Sequence, residues 1–211
     1  MHRLISLRRC SLAVALAAAL LTWPAAGYAQ LGGILPPPTT TTGTVLGSAS
    51  AVQATVLGMT TVLSGTGPLG STNDALGASL LTGGVPSTLT AETLSATAIS
   101  YADEVDSAAS LGNLNMTVAG IGITADFVMA QASQALGAPG SGSSTLTNLS
   151  INGIPVAVTG APSQAIPVPG GQVIINEQMI SSTGTAVVNA LHVVVTGVAD
   201  VVVASATAGI S

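Results

Sequence analysis

The chain has 211 residues, of which 48% are hydrophobic, 2% aromatic and 5% charged, whereas soluble domains carry about 25% charged residues. It contains no Lys, and its three Arg residues are Arg3, Arg8 and Arg9. This distribution excludes the basic face that a nucleic-acid-binding protein needs to replace counterions. It also excludes phosphate chemistry that depends on a Lys or Arg clamp.

The first 29 residues have the pattern of a secretory signal peptide. A short basic segment ends at Arg9, and Cys10–Leu21 forms an apolar run. Twelve apolar residues are too few for a membrane-spanning helix, which needs about 20. Small residues at Gly27 and Ala29 fit signal peptidase, so we expect cleavage after Ala29 and export without an integral membrane anchor.

Cleavage at this point changes the composition of the remaining chain. Removing 29 of 211 residues leaves 182, with all eight Asp and Glu residues, no Lys or Arg, and no Cys. The formal charge of the mature chain is then −8, compared with −5 for the precursor. Disulfides and thiolate sites are excluded. The core must be built from Val, Leu, Ile and Ala, since Tyr101 and Phe127 are the remaining aromatic residues.

Residues 30–43 contain Pro and Thr runs, which predict a flexible or semi-extended linker without helix. Alternation of apolar and polar residues predicts a first β region over Thr44–Leu63, and turn residues follow it. Asn73–Leu81 reads as a short helix capped by Asn73 or Asp74. Alternation of apolar and polar residues then predicts one strand over Thr88–Ala102 and another over Asn115–Met129.

The C-terminal half carries the clearest turn signals. Asn152-Gly153 predicts a type I′ turn within a hairpin over Ser144–Val158. Pro167–Gly171 predicts another turn, and Thr196-Gly197 separates two Val-rich strands. Many short strands with turns between them predict one all-β domain over residues 44–211, an antiparallel β-sandwich or a barrel-like fold.

His192 is the one histidine outside the leader, and it is placed in phase with Val188, Ala190 and Val194. A catalytic histidine needs a nucleophile and an orienting acid, and no Gly-x-Ser-x-Gly elbow marks a nucleophile. A strand histidine with a structural hydrogen bond is the favoured interpretation. An exported hydrolase that uses His192 is the alternative.

Asp103, Glu104 and Asp106 form the one acidic cluster. Several carboxylates close together can bind calcium, although the Asp-x-Asp-x-Asp-Gly loop spacing is absent. A calcium-binding or ice-binding β module therefore remains a further alternative. No other cofactor is expected.

Several segments of the C-terminal half resemble the choice-of-anchor P family of secreted bacterial proteins. The segments that carry the resemblance are Ile151–Gly153, Ile174–Gln178, Asn189–Val193 and Ala199–Ser205, with weaker similarity at Ala54–Gly58 and Leu94–Ala98. The resemblance covers roughly Thr44–Ser211 and implies no catalytic residues. It implies a secreted protein, found outside the cell or in its envelope, in a family whose activity is not established.

Composition and resemblance together lead to one expectation about function. We expect a non-enzymatic, exported protein that acts in surface, matrix or adhesive contacts, with no evident C-terminal anchor and an unknown partner. General acid–base, metal and phosphate chemistry each need side chains that are absent or lack an obvious partner in this sequence.

Overall fold

The computed structural model describes residues 44–211, so the predicted leader and linker lie outside the described residues. Thirteen β-strands and no helix make up this part of the chain. The strands are β1 (Val45–Val56), β2 (Met59–Gly65), β3 (Ala75–Val85), β4 (Leu89–Ser100), β5 (Glu104–Val118), β6 (Ile121–Ala135), β7 (Ser141–Thr147), β8 (Ser150–Ile151), β9 (Ile154–Pro155), β10 (Gln164–Val168), β11 (Gly171–Ile180), β12 (Ala186–Val195) and β13 (Ala199–Ile210).

The strands form two antiparallel sheets that pack face to face. The first sheet has the order β10-β11-β12-β13-β1-β2, and the second has the order β3-β4-β5-β6-β8-β9, with β7 also paired to β6. Apolar residues from both sheets fill the space between them. The fold is therefore all-β and consistent with a β-sandwich, as the sequence predicts, and neither sheet closes on itself.

Three tight turns share one backbone conformation. The two central residues have positive φ at Leu57-Gly58, Ala119-Gly120 and Asn152-Gly153. This is the type I′ conformation that suits a two-residue hairpin. The Asn152-Gly153 turn is confirmed, but its strands have two residues each. The other two turns lack Asn or Asp, so the sequence pattern missed them. It predicted a β region over Thr44–Leu63 without locating its turn, and one strand over Asn115–Met129 where the structure has a turn at Ala119-Gly120.

The predicted helix over Asn73–Leu81 is wrong. Ala75–Val85 is instead the edge strand β3, paired along its length with β4. The Asp74 carboxylate accepts hydrogen bonds from the backbone N–H groups of Gly70 and Ala75, at 2.8 Å each. These bonds close a turn before the strand. Cross-strand pairing, which is invisible in the local sequence, overrides the capping pattern.

Each sheet is crossed by a row of residues at which side-chain alternation changes phase. In the first sheet the Cα pairing skips one residue in each of five neighbouring strands. These residues are Asn176, Ala190, Ala204, Ala51 and Ser64. Three of them have positive φ: 53° at Asn176, 54° at Ala204 and 49° at Ser64. We call this set of residues the first phase row.

The first phase row places two consecutive residues in the core. Ala51 and Val52 are both fully buried, as are Ala190 and Leu191. A regular strand would send one residue of each pair to the surface. Because paired strands must agree on which face is apolar, the phase change in one strand is repeated in its neighbours.

The second sheet has a row with the opposite effect on its side chains, which we call the second phase row. Cα pairing skips Leu81, Thr93, Asn113 and Asp126, and Asn148 separates β7 from β8 at the same level. Two consecutive residues here point outward, for example Asp126-Phe127 between buried Ala125 and Val128. The alternation that predicts strands over Thr88–Ala102 and Asn115–Met129 therefore does not keep one face toward the core along their whole length.

A buried glutamine ties the two sheets together at one end. Gln134, on β6, is 2% exposed. Its Oε1 accepts a hydrogen bond of 2.8 Å from the backbone N–H of Ile210 on β13. Its Nε2 donates to the carbonyls of Ala138 and Thr183, at 3.2 Å each. All polar atoms of this side chain therefore have protein partners.

The first phase row predicts unequal losses of stability for two glycine substitutions in β13. Ala204→Gly and Ala206→Gly each remove a fully buried methyl group, but only Ala204 has a positive φ. We expect Ala206→Gly to lower the free energy of unfolding by about 1–2 kcal/mol. Relief of the left-handed conformation, worth about 1–2 kcal/mol, should leave Ala204→Gly close to wild type in urea unfolding. Equal losses would contradict this account.

Candidate functional site

His192 lies on the outer face of the first sheet. Val188 and Ala190 point into the core, but the phase change at Ala190 moves His192 and Val194 to the opposite face. The predicted shared face of His192 with Val188 and Ala190 is therefore wrong. The His192 side chain keeps 17% of its surface exposed.

Two carboxylates hold the His192 imidazole. Glu177 Oε2 is 2.9 Å from Nδ1, and Asp200 Oδ1 is 3.0 Å from Nε2. Glu177 is 19% exposed, whereas Asp200 is 60% exposed. The three residues come from β11, β12 and β13, so the imidazole bridges three adjacent strands. Both hydrogen bonds have a donor at the same time only when both ring nitrogens carry a proton.

The hydrogen-bond chain continues across the sheet from Glu177. Its Oε2 also accepts a 2.7 Å bond from Asn189 Nδ2. Ser205 Oγ in turn donates to Asn189 Oδ1 at 2.7 Å. We call Asp200, His192, Glu177, Asn189 and Ser205 the His192 network. It can form because the phase change leaves Asn189 and His192, three positions apart in β12, on the same outer face.

This geometry does not resemble a nucleophile paired with a general base. The Ser205 hydroxyl donates to the Asn189 amide, and both His192 nitrogens face carboxylates. Nδ1 and Nε2 lie on opposite sides of the ring, so Glu177 and Asp200 do not converge on one point that a metal could occupy. The network can fix the relative positions of three strands and present a shared acidic surface.

The predicted calcium ligands lie at the start of β5. Asp103 is exposed in the turn before the strand, and Glu104 and Asp106 are half-buried residues on one face of it. Within residues 44–211, no group of three or more His, Cys, Asp or Glu side chains is arranged to hold a metal ion. Calcium binding by this cluster is the alternative interpretation that thermal unfolding with calcium tests.

Asp106 also lines a shallow depression on the outer face of the second sheet. The depression has a volume of about 400 Å³. Small polar and apolar side chains from four strands surround Asp106, including Thr97, Ser133, Ser141 and Ser143. The hydroxyl groups could hydrogen-bond a small polar molecule. The depression contains no histidine, and Asp106 is its one charged residue.

Two further carboxylates are held by asparagines at the second phase row. Glu92 Oε2 accepts from Asn113 Nδ2 at 2.7 Å, and Asp126 Oδ2 accepts from Asn148 Nδ2 at 2.6 Å. Both asparagines have positive φ, a conformation that Asn tolerates well. Neither acid is among the site residues predicted from the sequence. The available signal for Asp126 was Asn148, which lies within the hairpin predicted over Ser144–Val158.

Comparisons with known proteins add no identification. No family model matches the chain, and no match was found among the curated proteins or the solved structures. The similarity to the choice-of-anchor P family therefore remains a prediction. The fold defines the class as an all-β protein of two packed antiparallel sheets. No helix in residues 44–211 is long and apolar enough to cross a membrane.

The His192 network predicts unequal effects of removing its two acids. Glu177→Ala leaves the Asn189 amide and one imidazole nitrogen without their acceptor in a mostly buried setting. We expect a loss of about 2 kcal/mol in the free energy of unfolding, measured with urea. Asp200→Ala removes a mostly exposed partner and should cost less than about 1 kcal/mol. Equal losses, or a larger loss for Asp200→Ala, would contradict a structural role for the network.

The acidic cluster gives a separate prediction about calcium. Asp103 extends from a turn, and within residues 44–211 no third acidic or histidine side chain is grouped with Glu104 and Asp106. We therefore expect millimolar calcium to leave the melting temperature unchanged. Wild type and the Asp103→Ala/Asp106→Ala protein should respond alike in thermal unfolding with calcium or with magnesium. A rise in wild type that the double variant lacks would instead establish an ion site.

Proposed function

We propose that this chain is an exported, non-enzymatic protein that acts through surface, matrix or adhesive contacts. The observation that carries the proposal is the arrangement around His192. The one imidazole of residues 44–211 is held by carboxylates at both nitrogens, at 2.9 and 3.0 Å. A histidine in this position stabilises the register of β11, β12 and β13.

The charge of the domain gives the proposal further support. Residues 44–211 contain all eight acidic residues and no Lys or Arg, so their formal charge is −8. An exported protein of this kind is soluble and repels its copies at low salt, and salt screens the repulsion over about 10 Å at 0.1 M. Contacts with other surfaces would then depend on ionic strength.

Export is supported by the leader composition, with three Arg before an apolar run and a small-residue cleavage site at Ala29. Members of the choice-of-anchor P family, which the chain resembles, are secreted bacterial proteins. The absence of Cys after position 10 is compatible with folding outside the cytoplasm without an oxidation step.

Expression of the full chain in a bacterial host tests the export half of the proposal. We expect the protein outside the cytoplasm, with an N-terminus at Gln30 by Edman sequencing. A Leu16→Arg variant, which places a charge within the apolar run, serves as the control and should accumulate unprocessed in the cytoplasm. Wild-type protein that stays in the cytoplasm and begins at Met1 would contradict export.

The non-enzymatic half is tested on the exported protein. Wild type and His192→Gln are compared in a screen of ester, peptide and glycoside substrates, and in retention by host cells after washing. We expect no hydrolysis by either protein and equal retention. A hydrolytic activity that His192→Gln loses while remaining folded by circular dichroism would establish the hydrolase alternative.

A further inference from the structure

Both ring nitrogens of His192 lie within hydrogen-bond distance of a carboxylate oxygen. Nδ1 is 2.9 Å from Glu177 Oε2, and Nε2 is 3.0 Å from Asp200 Oδ1. An ionised carboxylate can only accept hydrogen bonds, whereas a neutral imidazole has one N–H donor and one lone pair. In the neutral ring, one of the two contacts therefore sets a lone pair against a negatively charged oxygen. The imidazolium ring, with a proton on each nitrogen, satisfies both contacts.

The elements packed against β12 present two titratable groups to the ring. β11 contributes Glu177 and β13 contributes Asp200, and neither strand has another titratable residue. β6 and β7 pack against the core side of β12. Their one titratable residue, Asp126, is exposed on the outer face of the second sheet, away from the ring. Both groups that face His192 within residues 44–211 are therefore acids, and neither supplies a donor when it is ionised.

The two contacts of the ring are unequal. Glu177 is 19% exposed, and its Oε2 also accepts the 2.7 Å bond from Asn189. Asp200 is 60% exposed, so its carboxylate can turn into water at little cost. Glu177 has less access to water, so it loses more when it faces a lone pair. A ring with one proton therefore keeps that proton on Nδ1, toward Glu177.

We propose that His192 is a pH-sensitive tether in the first sheet. The charged ring bonds Glu177 and Asp200 at the same time and links β11, β12 and β13 across their outer face. Loss of the Nε2 proton releases Asp200 and leaves only the link between β11 and β12. Histidine is the side chain whose charge ordinarily changes between about pH 5 and 8, so the tether responds to mild changes of pH.

Release of Asp200 changes the surface as well as the tether. The formal charge of Glu177, His192 and Asp200 together is −1 when the ring is charged and −2 when it is neutral. Asp200 also lines a depression of about 460 Å³ beside the Leu57-Gly58 and Thr196-Gly197 turns. The freed carboxylate is no longer neutralised by the ring at the rim of this depression. The inference goes beyond the proposed function, because it gives the outer face of the first sheet two states.

The direction of the pH effect on stability follows from these contacts. The imidazolium ring has two carboxylate acceptors in the folded chain, whereas in the unfolded chain it has water. Protonation of His192 therefore favours the folded state. The stabilisation is present at about pH 5.5 and is lost as the pH rises to about 8, through the range in which histidine loses its proton.

Thermal unfolding of the full chain at these two pH values tests the tether. We expect the difference in melting temperature between wild type and His192→Gln to be larger at the lower pH than at the higher, by roughly 2–4 °C. Ionic strength is held constant, because salt screens exposed charges. His2 and the carboxylates outside the His192 network are common to both proteins, so the comparison isolates His192.

Asp200→Asn separates the tether from a general effect of charge. The new amide can donate to the lone pair of Nε2, so a neutral ring then has partners at both nitrogens. We expect the extra change between the two pH values to fall to at most about half of its wild-type size. Asp103→Asn is the matched control, since it also removes one carboxylate, but Asp103 is exposed in the turn before β5. It should keep the wild-type response.

Nitrogen-15 NMR identifies which bond breaks. Correlations to the carbon-bound ring protons report whether each ring nitrogen carries a proton, and the His192→Gln spectrum identifies the His192 signals. We expect both nitrogens to be protonated at the lower pH and Nδ1 alone at the higher pH. A proton that stays on Nε2 instead would overturn the release of Asp200.

The tether is wrong if wild type and His192→Gln respond to pH alike, or if wild type gains stability relative to the variant at the higher pH. It is also wrong if Asp103→Asn reduces the response as much as Asp200→Asn, since the effect would then follow total charge. These measurements use purified protein and do not depend on export, hydrolysis or retention by cells. A pH response in a protein that stays in the cytoplasm would contradict the proposed function alone. An exported, non-enzymatic protein without the response would contradict the tether alone.

Discussion

Every strand of a sheet must present its apolar residues to the same side as its neighbours. In the strands that a phase row crosses, the apolar residues alternate regularly before the row and again after it, but the alternation shifts by one residue at the row. In the first sheet, Ala51-Val52 and Ala190-Leu191 both point inward at the same level. One strand could not change phase alone, because half of its apolar residues would then face water. Each row extends across several neighbouring strands for this reason.

The phase rows also determine where polar groups gather. Left-handed backbone at Asn113 and Asn148 interrupts regular pairing, and their side-chain amides bond nearby carboxylates at 2.7 and 2.6 Å. In the first sheet the same change of phase brings Asn189 and His192 to one face with Glu177 between them. Three of the eight acidic residues thus accept amide hydrogen bonds beside an irregular row.

The edge strands of the sandwich differ in their charge and in their protection against pairing with another strand. The edge strands β9 and β10 each contain a proline, which cannot donate a hydrogen bond to a further strand. β7 lies against the first sheet. The terminal strands β2 and β3 contain neither a proline nor a charge, and the Glu92 carboxylate on β4 bonds Asn113 on the side away from β3. In a domain without Lys or Arg, an uncharged strip is where a contact costs least electrostatic energy. The proposed surface role depends on this uneven distribution of charge.

The amino-acid sequence alone determined the fold class, the Asn152-Gly153 turn and the Val-rich pair of strands at the C-terminus. These follow from alternation and turn chemistry, which are local properties of the chain. Only the tertiary structure decided that Ala75–Val85 is a strand, that Leu57-Gly58 and Ala119-Gly120 are turns, and that His192 faces outward. Each of these depends on pairing with distant strands. A change of phase in the middle of a strand is stable only when neighbouring strands repeat it, so a single strand read by itself gives the wrong face.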